Sequence, residues 1–289
     1  VFKMSHGIDI SHNNGVVDFT AVKASGIDFV MVRAGYGQLE DRQFKANIQG
    51  AAKAGIPVGV YYFSYALNAV KAEEEASHCL SLIKPYTIDF PVYFDFEYDS
   101  ETFGAKKGVI YTAALRTAIN KAFCERIRSA GYKPGIYTNA DYITSKLNWS
   151  ELKNYTLWLA QWPYGVDKNI TFGDVKESAL NTTWGKAAIW QFGKGTVGGC
   201  KTDTDLNFGY MALPSKPTVD PIKFKIGDKV KVTKTVTTGS IKRGKTYDGK
   251  TFVVYFDSYD IIAVSGKRVV IGRSKNITAA VNADDLQKI

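Results

Sequence analysis

Pro91-Val92-Tyr93-Phe94-Asp95-Phe96-Glu97 is an apolar, β-prone run that ends in two carboxylates. A strand with apolar residues on both of its faces is buried on both, as in a parallel sheet covered by helices. Working upstream, Ile56 to Tyr65 reads as another such strand, with a helical pattern at Val70 to Leu82 between the two. Phe44 to Ala54 has helical spacing and is closed by Gly55; Ile27 to Arg33 is a strand; Asp18 to Ser25 is a short helix stopped by Gly26; Gly7 to Ser11 is the first strand. Downstream, Lys107 to Ser129 predicts a long helix closed by Gly131, followed by strands near 134–137, 156–162 and 188–192. About eight strands over some 210 residues fit one irregular (β/α) TIM-like barrel better than two small domains. A doubly wound open sheet is the alternative, weakened because no G-x-G-x-x-G follows the first strand.

Charge divides the chain. Of a net +9, residues 222–289 carry +8, from eleven Lys and three Arg against six Asp and no Glu. Pro214, Pro217 and Pro221 punctuate the stretch between, which predicts a barrel over 1–212, a linker over 213–221 and a second domain over 222–289. That last segment alternates apolar and polar residues between turn signals and predicts a small all-β module. No apolar run reaches the roughly 20 residues of a membrane span, and the first residues lack the apolar core of a signal peptide. Cys79, Cys124 and Cys200 are too scattered for a disulfide framework and read as buried thiols.

Residues i and i+2 of a strand share a face, so Asp95 and Glu97 point the same way, at the edge of a core. In a barrel that places them at the rim formed by strand C-terminal ends. Crowded, partly desolvated carboxylates raise one another's pKa, and an acid still protonated near neutral pH can serve as a general acid. An acid beside an ionised partner is what glycoside hydrolysis requires. Asp9 in the first strand and Asp205 after the last one complete an acidic set, with Asp203 a competing assignment. A divalent-metal site built from the same oxygens is a second, lesser reading, and a zinc site using His6 and His12 lacks HxxxH or HExxH spacing, so neither metal nor cofactor is expected. The run Glu73-Glu-Glu75 reads as a solvated helix face.

His6-Gly-Ile-Asp-Ile-Ser-His12, Phe29–Gly37, Gly59–Phe63, Pro91–Glu97, Gly135–Asn139, Leu157–Trp162, Ile189–Phe192 and Asp203–Asn207 resemble, in order, the strand motifs of glycoside hydrolase family 25, the Chalaropsis-type lysozymes common among phage endolysins. The resemblance covers about residues 5–210. It implies an irregular (β/α) barrel that cuts peptidoglycan between N-acetylmuramic acid and N-acetylglucosamine. It further implies Glu97 as general acid, Asp95 as its partner on the acetamido group or the oxocarbenium, and Asp9 and Asp205 as the remaining acids. Two positions depart from the pattern: Tyr62 stands where relatives often have His, and Arg33 where they often have Lys.

Tyr36, Tyr62, Tyr137 and Trp162 are candidates for sugar faces, Gln191 for the acetamido group and Arg33 for a substrate hydrogen bond, while Trp158 and Trp190 read as core. The tail domain resembles the SH3-like wall-binding modules of endolysins, and its charge suits acidic wall polymers better than nucleic acid. Together these expectations describe an endolysin made in the host cytoplasm without a signal peptide and acting on the wall. The competing readings are a chitinase-like or glucosaminidase-type hydrolase and a non-catalytic wall-binding protein.

Overall fold

The structure is a computed structural model, and it describes residues 4–213, 224–265, 268–274 and 276–289. The chain divides into two compact units, Val1–Lys216 and Pro217–Ile289. The linker expected over 213–221 lies outside the described residues except for Leu213, which packs on the barrel with Met211.

Nine strands form the sheet of the first unit: β1 (Ser5–Ile10), β2 (Phe29–Tyr36), β3 (Leu39–Glu40), β4 (Val58–Phe63), β5 (Val92–Asp95), β6 (Pro134–Asn139), β7 (Thr156–Ala160), β8 (Ile189–Gly195) and β9 (Thr204–Gly209). Their order is β1-β9-β8-β7-β6-β5-β4-β2-β3, and β1 also pairs with β2, so eight strands close into a barrel with β3 as a hairpin appendage. Seven of the eight run parallel. β9 is antiparallel to both neighbours, which makes the barrel irregular and places Asp205 inside a strand that the sequence reading left out.

Helices α1 (Phe19–Ala24), α2 (Phe44–Lys53), α3 (Ala69–Ile83), α4 (Tyr98–Ala105), α5 (Ala113–Ser129) and α6 (Trp149–Leu152) connect the strands. Side chains of Asp18, Asn68 and Thr112 cap α1, α3 and α5 by accepting backbone N–H bonds of the first turn. The cap explains why α5 starts at Ala113 and not at Lys107: the chain turns at Gly108, whose φ of 81° favours glycine, before Thr112 restarts it. Cys79 and Cys124 are buried on α3 and α5, whereas Cys200 is only half-buried. Among the described residues no helix is long and apolar enough to cross a membrane.

Large side chains on the inner face are matched to glycines. A Cβ on Gly7 would lie 2.1 Å from the Phe29 ring, and one on Gly135 2.4 Å from the Tyr93 ring. Phe29, Met31, Tyr61, Tyr93, Trp158 and Ile189 fill the interior below the mouth. On the outer face, Tyr62, Phe94 and Phe123 pack between sheet and helices.

One surface expectation fails. Glu75 is 2% exposed, because α3 turns it onto the β4 end, where it accepts from Ser64 Oγ (2.6 Å) and Tyr65 N (2.8 Å). Burial pushes its pKa up to about 8. The folded state therefore holds a proton that the unfolded chain releases near 4.5. Its contribution is fully present below that value and is lost as pH rises through about 8. Glu75→Gln can still accept from Tyr65 N through its oxygen and can turn its NH2 to donate to the Ser64 hydroxyl, without the charge. It is expected to stabilise the fold by about 1 kcal/mol or more at pH 8 and little at pH 4.5, read as a melting shift of about 2–4 °C per kcal/mol. Equal shifts at both pH values would contradict the buried, protonated state.

The second unit contains β10 (Lys229–Val232), β11 (Thr235–Thr238), β12 (Ile241–Lys245), β13 (Thr251–Val253), β14 (Tyr259–Ser265), β15 (Arg268–Arg273), β16 (Asn276–Asn282) and β17 (Leu286–Lys288). A five-stranded sheet, β16-β15-β14-β10-β17, and a three-stranded sheet, β11-β12-β13, make it all-β. Phe224, Val230, Val232, Tyr259, Ile261, Val269, Ile271 and Val281 form its core, with Phe252 and Val254 packed against it.

Candidate active site

The acids meet at the C-terminal mouth of the barrel. β1 and β9 pair Asp9 directly with Asp205, and β5 ends at Asp95 in register with Tyr137. Phe96 turns outward onto Phe94 and Tyr111, which returns Glu97, the N-cap of α4, to the same side as Asp95. The carboxyls of Asp95 and Glu97 are hydrogen-bonded to each other. A cleft of about 330 Å³ opens over Asp9 and Asp205, lined also by Arg33, Tyr61, Asn14 and Asp203. Asp203 is exposed on its rim, whereas Asp205 is the acid that faces Asp9.

Every member of the set has a raised pKa, chiefly from burial. Asp95, 5% exposed, is held well above the ordinary carboxylate range by burial, then by the charge of Glu97 and the hydrogen bond between them, then by Asp9. Glu97 is raised by burial and by the Asp9 charge, against hydrogen bonds from Asp95 and Tyr137. Asp9 rises to about 6 through burial, moderated by its bonds from Gln191 and Asn207. Asp205 rises to about 8 through burial and the charges of Asp9 and Glu97. Like charges confined in a low-dielectric mouth cannot all ionise, so the cluster retains protons near neutral pH.

A buried amide network fixes these groups. Gln191, 4% exposed, donates from Nε2 to Asp9 Oδ2 (3.0 Å) and accepts at Oε1 from Tyr137 Oη (2.9 Å) and Trp162 Nε1 (3.1 Å). Asn207 donates to the same Asp9 oxygen (2.7 Å) and accepts from Trp158 Nε1 (2.8 Å). With both lone pairs of its oxygen taken, Gln191 orients Asp9, Tyr137 and Trp162. This corrects the expectation that it meets an acetamido group. Tyr137 also hydrogen-bonds Glu97, a contact that favours the ionised carboxylate and so moderates the upward push of burial.

Tyr62 does not reach the mouth. Its side chain lies on the outer face, fully buried, donating to the Gly37 carbonyl (2.9 Å) with His78 Nδ1 at 2.6 Å. The strand period of two instead turns its neighbour Tyr61 inward, among Asp9, Arg33, Asp95 and Asp205. Tyr62→Phe should leave kcat unchanged and cost about 1 kcal/mol of stability, whereas Tyr61→Phe should change kinetics; steady-state rates on soluble wall fragments would separate the two, and equal kinetic losses would contradict this placement. Tyr36, Tyr137 and Trp162 are half-buried near the mouth. Tyr65, edge-on to Phe63 (5.2 Å between ring centroids) and tilted against Phe103 (4.8 Å), is a rim aromatic that sequence reasoning missed.

Arg33 does belong to the site, and Asp41, also missed, holds it. Asp41 is fully buried and accepts from Arg33 Nε (2.9 Å), from the backbone N–H of His12 (3.1 Å) and Gln43 (2.9 Å), and meets His12 Nδ1 at 2.8 Å. Burial alone would raise its pKa, but these hydrogen bonds outweigh it and keep Asp41 below the ordinary range. The fixed guanidinium lies over the Tyr36 ring (5.3 Å) and opposes the upward push on Asp95. Asp41→Asn leaves Arg33 without its counter-charge; a loss of about 3 kcal/mol in urea unfolding is expected. His6 stacks on Phe172 (4.2 Å). Among the described residues no group of three His, Cys, Asp or Glu is arranged to hold a metal ion.

Comparison with known proteins agrees with this geometry. The chain is 29% identical over 200 residues to the autolytic lysozyme of Clostridium acetobutylicum, covering 67% of this chain and 57% of that protein. It is 29% identical over 209 residues to lysozyme M1 of Streptomyces globisporus, covering 70% and 66%. It therefore spans less than two thirds of either relative's length. The solved structure of a family GH25 lysozyme from Aspergillus fumigatus superposes with a TM-score of 0.56 at 25% identity, over 73% of this chain and 96% of that one. Residues 8–199, which hold Asp9, Asp95 and Glu97 and most of the barrel, match the glycosyl hydrolases family 25, and the chain belongs to that family.

Proposed function

We infer that this protein is a peptidoglycan-degrading 1,4-β-N-acetylmuramidase, brought to the wall by its basic C-terminal unit. The observation that carries the reading is the hydrogen-bonded pair of Asp95 and Glu97 at the C-terminal end of β5, facing Asp9 and Asp205 across one mouth. Glu97 is the general acid: its raised pKa supports a proton available for the glycosidic oxygen as the C1–O bond breaks. Two carboxyls in hydrogen-bond contact are too close to flank the bond as acid and nucleophile, which needs roughly 5–5.5 Å. Asp95 is therefore assigned to the acetamido group. The acetamido carbonyl oxygen then attacks C1 as the protonated leaving group departs, and water opens the resulting ring as the ionised Glu97 takes a proton from that water. Asp9, with a pKa of about 6, is ionised at neutral pH and supplies negative charge beside the developing oxocarbenium, while Asp205, at about 8, keeps its proton.

The all-β unit is assigned as an SH3-like wall-binding module. The Clostridium relative is named an autolytic lysozyme, and the site of action proposed here is likewise the cell wall. Digested walls, reduced with borohydride and analysed by mass spectrometry, test the activity. Muramic acid at the new reducing ends supports a muramidase. Glucosamine there identifies a glucosaminidase, and no new ends would leave a binding protein.

A further inference from the structure

We propose that the solvent face of the β11–β12–β13 sheet is a binding site for a phosphodiester-linked, anionic wall polymer. The proposal rests on the wall-targeting reading of the second unit and gives that unit a ligand class and an address. Register settles which residues share the face. Val236 pairs with Arg243 and Arg243 with Val253; Thr238 pairs with Ile241, and Lys245 with Thr251. The opposite face carries Thr235, Gly244 and Phe252, and it turns inward: Gly244 is buried, and a Cβ there would meet the Phe252 ring at 2.8 Å and Val232 at 3.3 Å.

Outward, Lys234, Val236, Thr238, Arg243, Lys245 and Thr251 line a cleft of about 260 Å³. The chemistry of this lining is uneven. Lys234 is tied to Asp285 at 2.8 Å. Among the described residues no carboxylate lies within ion-pair distance of Arg243 or Lys245, although Lys229, Lys250 and Lys288 in the same unit each have one. Between Lys229 and Phe256 the chain has seven cations and one acid, Asp248, and that acid bonds to Thr246 and Lys250. Arg243 and Lys245 are two residues apart on one strand, so their heads project about 7 Å apart on the same side. That is a ladder for successive charges along a chain, with a guanidinium suited to bidentate phosphate contact. Thr238 and Thr251 add hydroxyl donors. Val236, 71% exposed, and Ile241, 41% exposed, offer apolar contact to the carbon linkers between charges.

The lining argues against the other polyanions. No aromatic ring lines the cleft, so nothing there stacks a base. Two aliphatic side chains without a bulky aromatic are a poor wedge for a lipid surface. A flexible polymer with regularly spaced phosphates needs only the cation ladder and the hydroxyls.

Co-sedimentation of the full chain on ice tests this. The probes are sacculi bearing poly(glycerol phosphate) and the same sacculi after hydrofluoric acid has removed it. Arg243→Gln/Lys245→Gln is compared with the charge-matched Lys229→Gln/Lys231→Gln. Stripping the sacculi, or the first double substitution, is expected to weaken binding by about tenfold or more. The two losses should not add, and the second pair should bind like the parent. Hydrolysis of soluble wall fragments and the thermal midpoint report that each variant is folded. The site is overturned if both pairs weaken binding equally, if the first pair binds like the parent, or if duplex DNA or anionic vesicles compete better than poly(glycerol phosphate). Failure of the unsubstituted chain to bind either kind of sacculus removes the wall-targeting reading itself, a result distinct from those three.

Discussion

Glu97→Gln is expected to lower the rate of wall hydrolysis by about 10³-fold while binding to sacculi and thermal stability stay near those of the parent chain. General acid catalysis contributes about 10²–10⁴ in rate, and the glutamine has no proton to give a leaving oxygen. The fold should tolerate the change, because glutamine keeps an oxygen for the capping box at the α4 N-terminus, where the Glu97 side chain accepts from the Ser100 backbone, and the bond from the Glu97 backbone N–H to Ser100 Oγ (3.1 Å) is untouched. Turbidity clearing and released reducing ends give the rate. A folded Glu97→Gln protein that clears walls at a tenth of the parent rate or better would remove Glu97 from the acid's role.

Asp95→Asn should have the second-largest effect, and its pH dependence is the informative part. Asp95 and Glu97 share a hydrogen bond and hold one proton between them: Glu97 raises the pKa of Asp95, while the bond from Asp95 lowers that of Glu97. A carboxyl of raised pKa holds its proton as pH climbs and loses it only on passing that value, so activity that needs the acid declines on the alkaline side. The asparagine carries no charge to keep a proton in the pair, and its amide can donate to an ionised Glu97. The alkaline limb of kcat should therefore move to lower pH by about one unit or more, with a fall of about 10²-fold at pH 7. A uniform drop with no movement of the limb would make Asp95 a contact to substrate alone.

Which parts of the site could be read from sequence follows from strand polarity. Pro91–Glu97 was informative because two carboxylates end an otherwise apolar strand, and alternation alone puts both on one side. Gly59–Phe63 carried no such mark. Val58, Val60 and Tyr62 form one face and Gly59, Tyr61 and Phe63 the other, and both are buried. Nothing in composition says which looks into the barrel, so the sequence points to Tyr62 where Tyr61 holds the position. β9 was overlooked because Thr204–Gly209 is short and polar, its Asp205 and Asn207 belonging to the mouth and not to a hydrophobic face. Glu75 stands in a run that reads as solvated and Asp41 in a stretch without a motif, and only the folded chain sets a serine and a backbone amide on the first and a half-buried arginine on the second. In the second unit, turn signals and alternation were enough for an all-β module, whereas the division into a core-facing and a cationic face needed the pairing register.

Side-chain carboxyl titration by ¹³C NMR, with aspartate and glutamate labelled at the carboxyl carbon, tests most directly whether the barrel mouth keeps protons near neutral pH. Resonances assigned through Asp9→Asn, Asp95→Asn, Glu97→Gln and Asp205→Asn should include at least one mouth carboxyl titrating at about 6 and one near 8. If all four instead ionise within the ordinary range, near about 4, the mouth does not raise their pKa and has no acid to deliver at the pH of lysis.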